Sequence, residues 1–135
     1  MRKDGFANHF IVIMIVTPLN VDQTLERLES SHMSVERSKY RLREYMNRGH
    51  QDCFIEKLKV PFKCHFYSNK ITIPVRSRHC RNHYEPFDLR GFILANINSK
   101  LSASKWKCPI CKKRAYDLEV DEYLLKIIQS DQSLN

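Results

Sequence analysis

The sequence predicts an α+β fold, and three observations carry that reading. Apolar residues alternate with polar ones through 54–75, the period of a β-hairpin. Two pairs of soft or borderline ligands, Cys80/His83 and Cys108/Cys111, are separated by one helix-length of chain. Apolar residues at helical spacing follow each pair. The order is therefore hairpin, ligand pair, helix, ligand pair and C-terminal helix, preceded by a strand and a helical connector.

Phe10 to Val16 is a continuous, mostly β-branched apolar run, which predicts a strand covered on both faces. It follows Met1-Arg2-Lys3 as the start of a signal peptide would, but no small-residue cleavage site follows and Pro18 interrupts it. No run reaches the roughly 18–20 apolar residues that span a bilayer, so no membrane partner is expected. Asn20 and Asp22 offer caps for a helix through Thr24–Leu28. Ser34 caps a second helix, whose Val35, Leu42 and Tyr45 or Met46 recur at helical spacing before Gly49.

In the hairpin, Phe54, Leu58, Val60, Phe62 and Cys64 point one way, while Ile55, Lys57, Lys59 and Lys63 point the other. Ser68-Asn69 makes the turn, and Ile71, Ile73 and Val75 form the second arm. Asp88 caps a helix carrying Leu89, Phe92, Ile93 and Ile97. A polar loop, Ser99 to Lys105, leads to the second ligand pair, and Asp121 caps a last helix with Leu124, Leu125, Ile127 and Ile128.

Cys108-Pro109-Ile110-Cys111 can chelate one ion from a single tight turn, and Cys80 with His83 can close a tetrahedral shell. Three sulfurs and one imidazole suit zinc, at roughly 2.3 Å to sulfur and 2.0–2.1 Å to nitrogen. A redox use of C-x-x-C would want a strand before it and a helix starting at it, whereas Lys112-Lys113-Arg114 follows here. His79 neighbours Cys80 and cannot readily share its ion, and His65 beside Cys64 has no second pair. One structural zinc is expected. Cys53 and Cys64 are read as small buried apolar residues.

Hydrophobic content of 42% and charged content of 28% are those of a globular chain. Five cysteines, an odd number and in metal-ligand spacing, argue against a disulfide framework. Lys+Arg of 23 against Asp+Glu of 15 leaves +8, which suits an acidic partner, either nucleic acid or an acidic protein face.

Taken together, Ile73-Pro74-Val75-Arg76, Cys80…His83, Phe87-Asp88-Leu89 and Trp106-x-Cys108-Pro109-x-Cys111-x-Lys113 resemble the SP-RING (MIZ-type) zinc finger of the PIAS/Siz SUMO ligases. Tyr116-Asp117-Leu118-x-Val120-Asp121-x-Tyr123 resembles the stretch that follows that finger. The resemblance implies a RING-like finger with C-terminal extension over 53–128 and a tail at 129–135. It also implies a helical connector at 21–52 and the end of a PINIT-like domain at 1–20. Three departures stand out: Cys80-Arg81-Asn82-His83 has one residue more than the family's Cys-x-His, Pro86 replaces a cysteine, and Cys64-His65 replaces Cys-Pro. Counting back from Phe87 keeps His83 in register and places the slip on Cys80.

The resemblance implies an adaptor-type SUMO–protein transferase with no covalent intermediate and no catalytic side chain of its own, working by proximity. Its zinc would be structural. Its partners would be the SUMO-charged conjugating enzyme, SUMO and protein substrates such as transcription factors, and its place of work the nucleus. The conjugating enzyme would meet Phe66, Trp106 and Pro109. Against that, Trp106 could pack as a core residue on the last helix, and Phe66 could fill the hairpin core. The competing function is a zinc-stabilised binding module for DNA or transcription factors without ligase activity. A ubiquitin-type finger is disfavoured because ligands for a second zinc are missing.

Overall fold

The fold is that of a computed structural model, which describes residues 11–18, 20–48, 57–100 and 105–132. Local capping chemistry sets the helices. Helix α1 (Val21–Glu29) starts at Asn20, whose side chain accepts from the Gln23 amide while Gln23 returns the bond, a capping box. Helix α2 (Val35–Asn47) starts at Ser34. Helix α3 (Leu89–Asn98) starts at Asp88, and α4 (Glu122–Gln132) follows Asp121, whose carboxylate accepts from the Leu124 amide. All four capping expectations hold, because each depends on residues within one turn of one another.

Between the helices run four short strands: β1 (His32–Met33), β2 (Pro74–Ser77), β3 (Phe87–Asp88) and β4 (Leu118–Asp121). They form one sheet in the order β1-β4-β2-β3. β1 pairs parallel with β4, and β2 pairs antiparallel with both β4 and β3. Val75 lies at the centre, opposite Val120 on one side and Phe87 on the other. These three join Leu89, Phe92, Ile93 and Leu118 in the main core, against which Leu25 and Leu28 of α1 pack. The segment ahead of the finger thus shares the finger's sheet, through β1, and its core, through α1.

Two expectations fail. Ile11 to Val16 forms no strand and is exposed along its length, from 74% to 101% (Phe10 lies outside the described residues). A strand covered on both faces needs partners on both edges, and the described sheet ends in two-residue strands, β1 and β3. The hairpin survives only at its tip. Its first arm lies partly outside the described residues, at 54–56, and contributes a single bridge, Lys63 to Lys70, flanked by Cys64 N–H to Asn69 O and Ile71 N–H to Phe62 O, each 2.8 Å. Beyond that point the second arm pairs elsewhere. Thr72 and Ile73 give their amides to the Asp88 carboxylate, at 2.9 and 3.1 Å, and Pro74 has no amide to give. Ile97, expected on the buried face of α3, is exposed near the helix end. Gly49 and residues 101–104 of the polar loop lie outside the described residues.

Asp88 consequently serves three tasks: it caps α3 through Gly91, sits in β3, and accepts from both Thr72 groups and Ile73. Asp88→Ala is expected to cost about 2–3 kcal/mol, the sum of a lost cap and of the part-buried Thr72 and Ile73 amides left without their acceptor. Urea denaturation checks this, and a loss under about 1 kcal/mol would contradict the shared-acceptor reading. Cys64 is buried, as expected, with Ile71 and Ile128 in a second small cluster. A Cβ at Gly91 would come within 2.8 Å of its sulfur, so the absence of a side chain there lets α3 approach. Cys53 lies outside the described residues.

Polar residues bind the layers together. Arg76 of β2 and Asp121 of β4, 1% and 0% exposed, form a buried ion pair. Ser38 of α2 donates to Asp121 at 2.7 Å, and Arg76 also reaches the Tyr84 carbonyl at 3.2 Å. Four segments far apart in sequence therefore meet at one charge pair. Among the described residues no helix is long and apolar enough to cross a membrane.

Candidate metal centre

Two turns bring the four predicted ligands together. Cys80 and His83 lie in the loop between β2 and β3, where Cys80 N–H donates to the Ser77 carbonyl at 3.1 Å. Cys108 and Cys111 lie on a tight knuckle: Lys112 N–H returns to Cys108 O at 3.0 Å, and Cys108 N–H donates to Lys113 O at 2.8 Å. The Ile110 amide points at the Cys108 sulfur from 3.4 Å. Lys112 closes this turn with φ of 60°, in the left-handed region. A β-branched residue tolerates that conformation poorly, so Lys112→Val is expected to cost about 1–2 kcal/mol while Lys112→Gly costs little. Thermal unfolding of the two variants would separate them, and equal losses would contradict the turn assignment.

The sulfurs of Cys80, Cys108 and Cys111 and a ring nitrogen of His83 all lie within 4.8 Å of one another. Cys80 Sγ is 3.5 Å from Cys111 Sγ, and Cys108 Sγ is 3.3 Å from His83 Nε2. A tetrahedral zinc at roughly 2.3 Å from each sulfur would set the sulfurs ~3.8 Å apart, so the cluster fits one ion with little movement. His83 Nδ1 lies 3.1 Å from the Glu85 carbonyl, which holds the ring with Nε2 facing the sulfurs. Hydrogen bonding from Cys80 holds the Cys108 thiol well below its usual range, and the same bond pushes Cys80 up. Thiols crowded this closely compete for protons, and a divalent cation relieves that competition by taking the place of the protons.

The residue inserted between Cys80 and His83 therefore does not disrupt the cluster. His79 turns away to Asp117, 3.3 Å from its carboxylate, and His65 is exposed. The cluster is the only such group among the described residues. The expectation of one structural zinc site is met by its donor set and its spacing.

Phe66 and Pro109 line one concavity of about 630 Å³ together with His65, Lys107, Cys108 and Lys112. Trp106 does not line it. Its backbone, at φ of 56°, is fixed by its own N–H, which donates to Asn96 Oδ1, and by the Ala115 amide, which donates to its carbonyl at 2.8 Å. Its ring meets Phe92 edge-on, with centroids 5.9 Å apart, and lines a neighbouring apolar groove of about 340 Å³ with Thr24, Arg27 and Leu28. Trp106 is half-buried: it packs on Phe92 of α3, not on the last helix, and also faces that groove. Phe66 also packs edge-on against Phe92, at 6.0 Å.

A four-ligand cluster, held by two turns beside a short sheet and helix, defines a single-zinc finger of RING-like order. Residues 60–114 match the MIZ/SP-RING zinc finger family. The chain is 27% identical over 121 residues to the E3 SUMO-protein ligase gei-17 of Caenorhabditis elegans, covering 86% of this chain and 15% of that protein. Its fold is similar to the SUMO E3 ligases Siz2 and Siz1 of Saccharomyces cerevisiae. The TM-scores are 0.68 and 0.65, with 17% and 19% identity over 82% and 83% of this chain. The chain spans 40% and 38% of those two structures.

What sequence reading missed is the arginine-rich wall on the other side of the centre. Arg37, Arg41, Arg48, Arg76, Arg78 and Arg81 line one concavity with Cys80 and His83. Arg37, Arg41 and Arg48 share one face of α2 at helical spacing, Arg76, Arg78 and Arg81 come from β2 and the loop after it, and no local spacing links the two groups.

Proposed function

We propose that this chain works as the SP-RING part of a SUMO–protein ligase, an adaptor that binds a SUMO-charged conjugating enzyme and orients its thioester toward a substrate lysine. The observation that carries the reading is the position of Phe66 and Pro109. They line one concavity whose wall includes Cys108, so a zinc-bound knuckle would hold an apolar docking surface rigid. The SP-RING match and the SUMO ligases among the relatives supply the identity of the partner. Trp106 supports the surface from behind, through its fixed backbone. With four protein ligands on the metal, no coordination position is left for water, so the contribution to rate is proximity and orientation. We place this activity in the nucleus, testable by following a fluorescent fusion.

Calorimetric titration with the SUMO-conjugating enzyme tests the docking surface. Binding is expected for the native chain, weakened roughly tenfold or more by Phe66→Ala and by Pro109→Ala, with zinc content unchanged. Affinity should change little with salt, whereas a nucleic-acid module would lose affinity steeply. Absence of binding, or binding by both variants equal to that of the native chain, would refute the surface.

A further inference from the structure

We infer that the concavity lined by Arg37, Arg41, Arg48, Arg76, Arg78 and Arg81 is a binding site for a phosphoryl group carried on a protein partner. It lies between α2 and the β2–Cys80–His83 segment, has a volume of about 270 Å³, and shares no lining residue with the Phe66/Pro109 concavity.

Its positive charge exceeds what the protein supplies to neutralise it. Glu119 holds Arg37 at 3.3 Å and Arg78 at 2.9 Å through the same oxygen, Asp121 holds Arg76, and Glu44 holds Arg48 at 2.6 Å. Among the described residues Arg41 donates to neutral acceptors, the Cys80 carbonyl and the Met33 sulfur. Arg81 is exposed and has no carboxylate within ion-pair distance among the described residues. With Glu85, which lies 3.7 Å from His83, six guanidiniums face four carboxylates and leave 6 − 4 = +2. A zinc with three thiolates contributes 2 − 3 = −1, so the surplus stays at +1. Arg76 Nε is also buried without a hydrogen-bond partner.

The chemistry that fits is a phosphate monoester. It brings nearly two negative charges and three strong acceptor oxygens, which converging guanidinium forks match better than they match a singly charged carboxylate. A protein segment is favoured over nucleic acid because the arginines surround one concavity walled by Tyr40 and Tyr45. A strand of nucleic acid needs a basic groove along which successive phosphates are met. Arg37, Arg48, Arg78 and Arg81 are exposed; of these Arg48 and Arg81 make no ion pair with Glu119, so their removal leaves both Glu119 and the buried Arg76–Asp121 pair undisturbed.

The test uses the zinc-loaded full chain and a labelled Gly-Ser peptide bearing one phosphoserine, beside its serine and glutamate counterparts and a short single-stranded oligodeoxynucleotide. Expected is binding of the phosphopeptide, with the serine and glutamate peptides at least about tenfold weaker. Arg48→Gln and Arg81→Gln should each weaken it about tenfold, the equivalent of one charged hydrogen bond. In the native chain, inorganic phosphate should shift the Nε–Hε resonances of Arg41, Arg48 and Arg81. Equal binding of the serine peptide, unchanged affinity in both variants, or resonance shifts confined to other residues would overturn the proposal. Capture of the oligodeoxynucleotide in place of the phosphopeptide would overturn it in favour of a nucleic-acid site.

Discussion

Removing the metal, by chelation or by Cys108→Ser, is expected to unfold the finger cooperatively. Cys80 and Cys108 are fully buried and belong to the same core cluster as Val75, Phe92 and Val120, so the metal ligands and the apolar core form one unit. Without an ion, three sulfurs and an imidazole face one another within 4.8 Å. Structural zinc contributes about 10–16 kcal/mol in small fingers at neutral pH, as much as or more than the 5–15 kcal/mol that holds a typical domain together. Near-UV circular dichroism and Trp106 fluorescence, followed during EDTA titration with parallel metal analysis, read the effect. The native signal should vanish as about one zinc per chain is released, and return when zinc is restored. Cys64→Ser, which alters a buried sulfur outside the cluster, should leave zinc content unchanged. A native signal that persists after complete metal loss would contradict the coupling of site and core.

The second large effect is expected at Asp121. Asp121→Ala leaves the Arg76 guanidinium buried without its counter-charge, removes the acceptor for Ser38 and uncaps α4 in one step. Breaking a buried ion pair from one side costs about 3–5 kcal/mol, and a lost cap adds about 1 kcal/mol. A domain of this size has little more than that to lose. The double variant Arg76→Met/Asp121→Asn removes both charges while keeping a cap and a partner for Ser38. It should recover more than half of the loss, because the penalty comes from the unpaired charge and not from the missing pair. Chemical denaturation of the single and double variants decides the matter. A double variant as unstable as Asp121→Ala would mean that the pair's geometry, rather than its charge balance, holds the layers.

What was legible in the sequence follows from the range over which each feature acts. The caps at Asn20, Ser34, Asp88 and Asp121 were readable because a cap and its amide lie within three residues. The metal ligands were readable because chelation from a turn demands fixed spacing, and the extra residue in Cys80-Arg81-Asn82-His83 is absorbed within its loop. Ile11 to Val16 was misread because an apolar run reports what needs covering and says nothing of whether a partner strand is at hand. The hairpin's second arm was misassigned because Asp88, more than a dozen residues away, takes the amides of Thr72 and Ile73. The Arg76–Asp121 pair, the β1–β4 pairing and the two sides of the arginine concavity join residues separated by 28 to 88 positions, and periodicity carries no trace of these long-range meetings. The sequence offers Trp106 either as a docking residue or as a core residue on the last helix, but its left-handed backbone and its place against Phe92 are set by tertiary contacts.

The most direct test of the account is single-turnover discharge of SUMO from its conjugating enzyme, with and without the zinc-loaded chain. The account predicts faster transfer of SUMO to an acceptor lysine. That gain should be lost in Cys108→Ser with the fold, and lost in Pro109→Ala with fold and zinc retained. No acceleration by a chain that holds its zinc and its native spectrum would contradict the ligase reading.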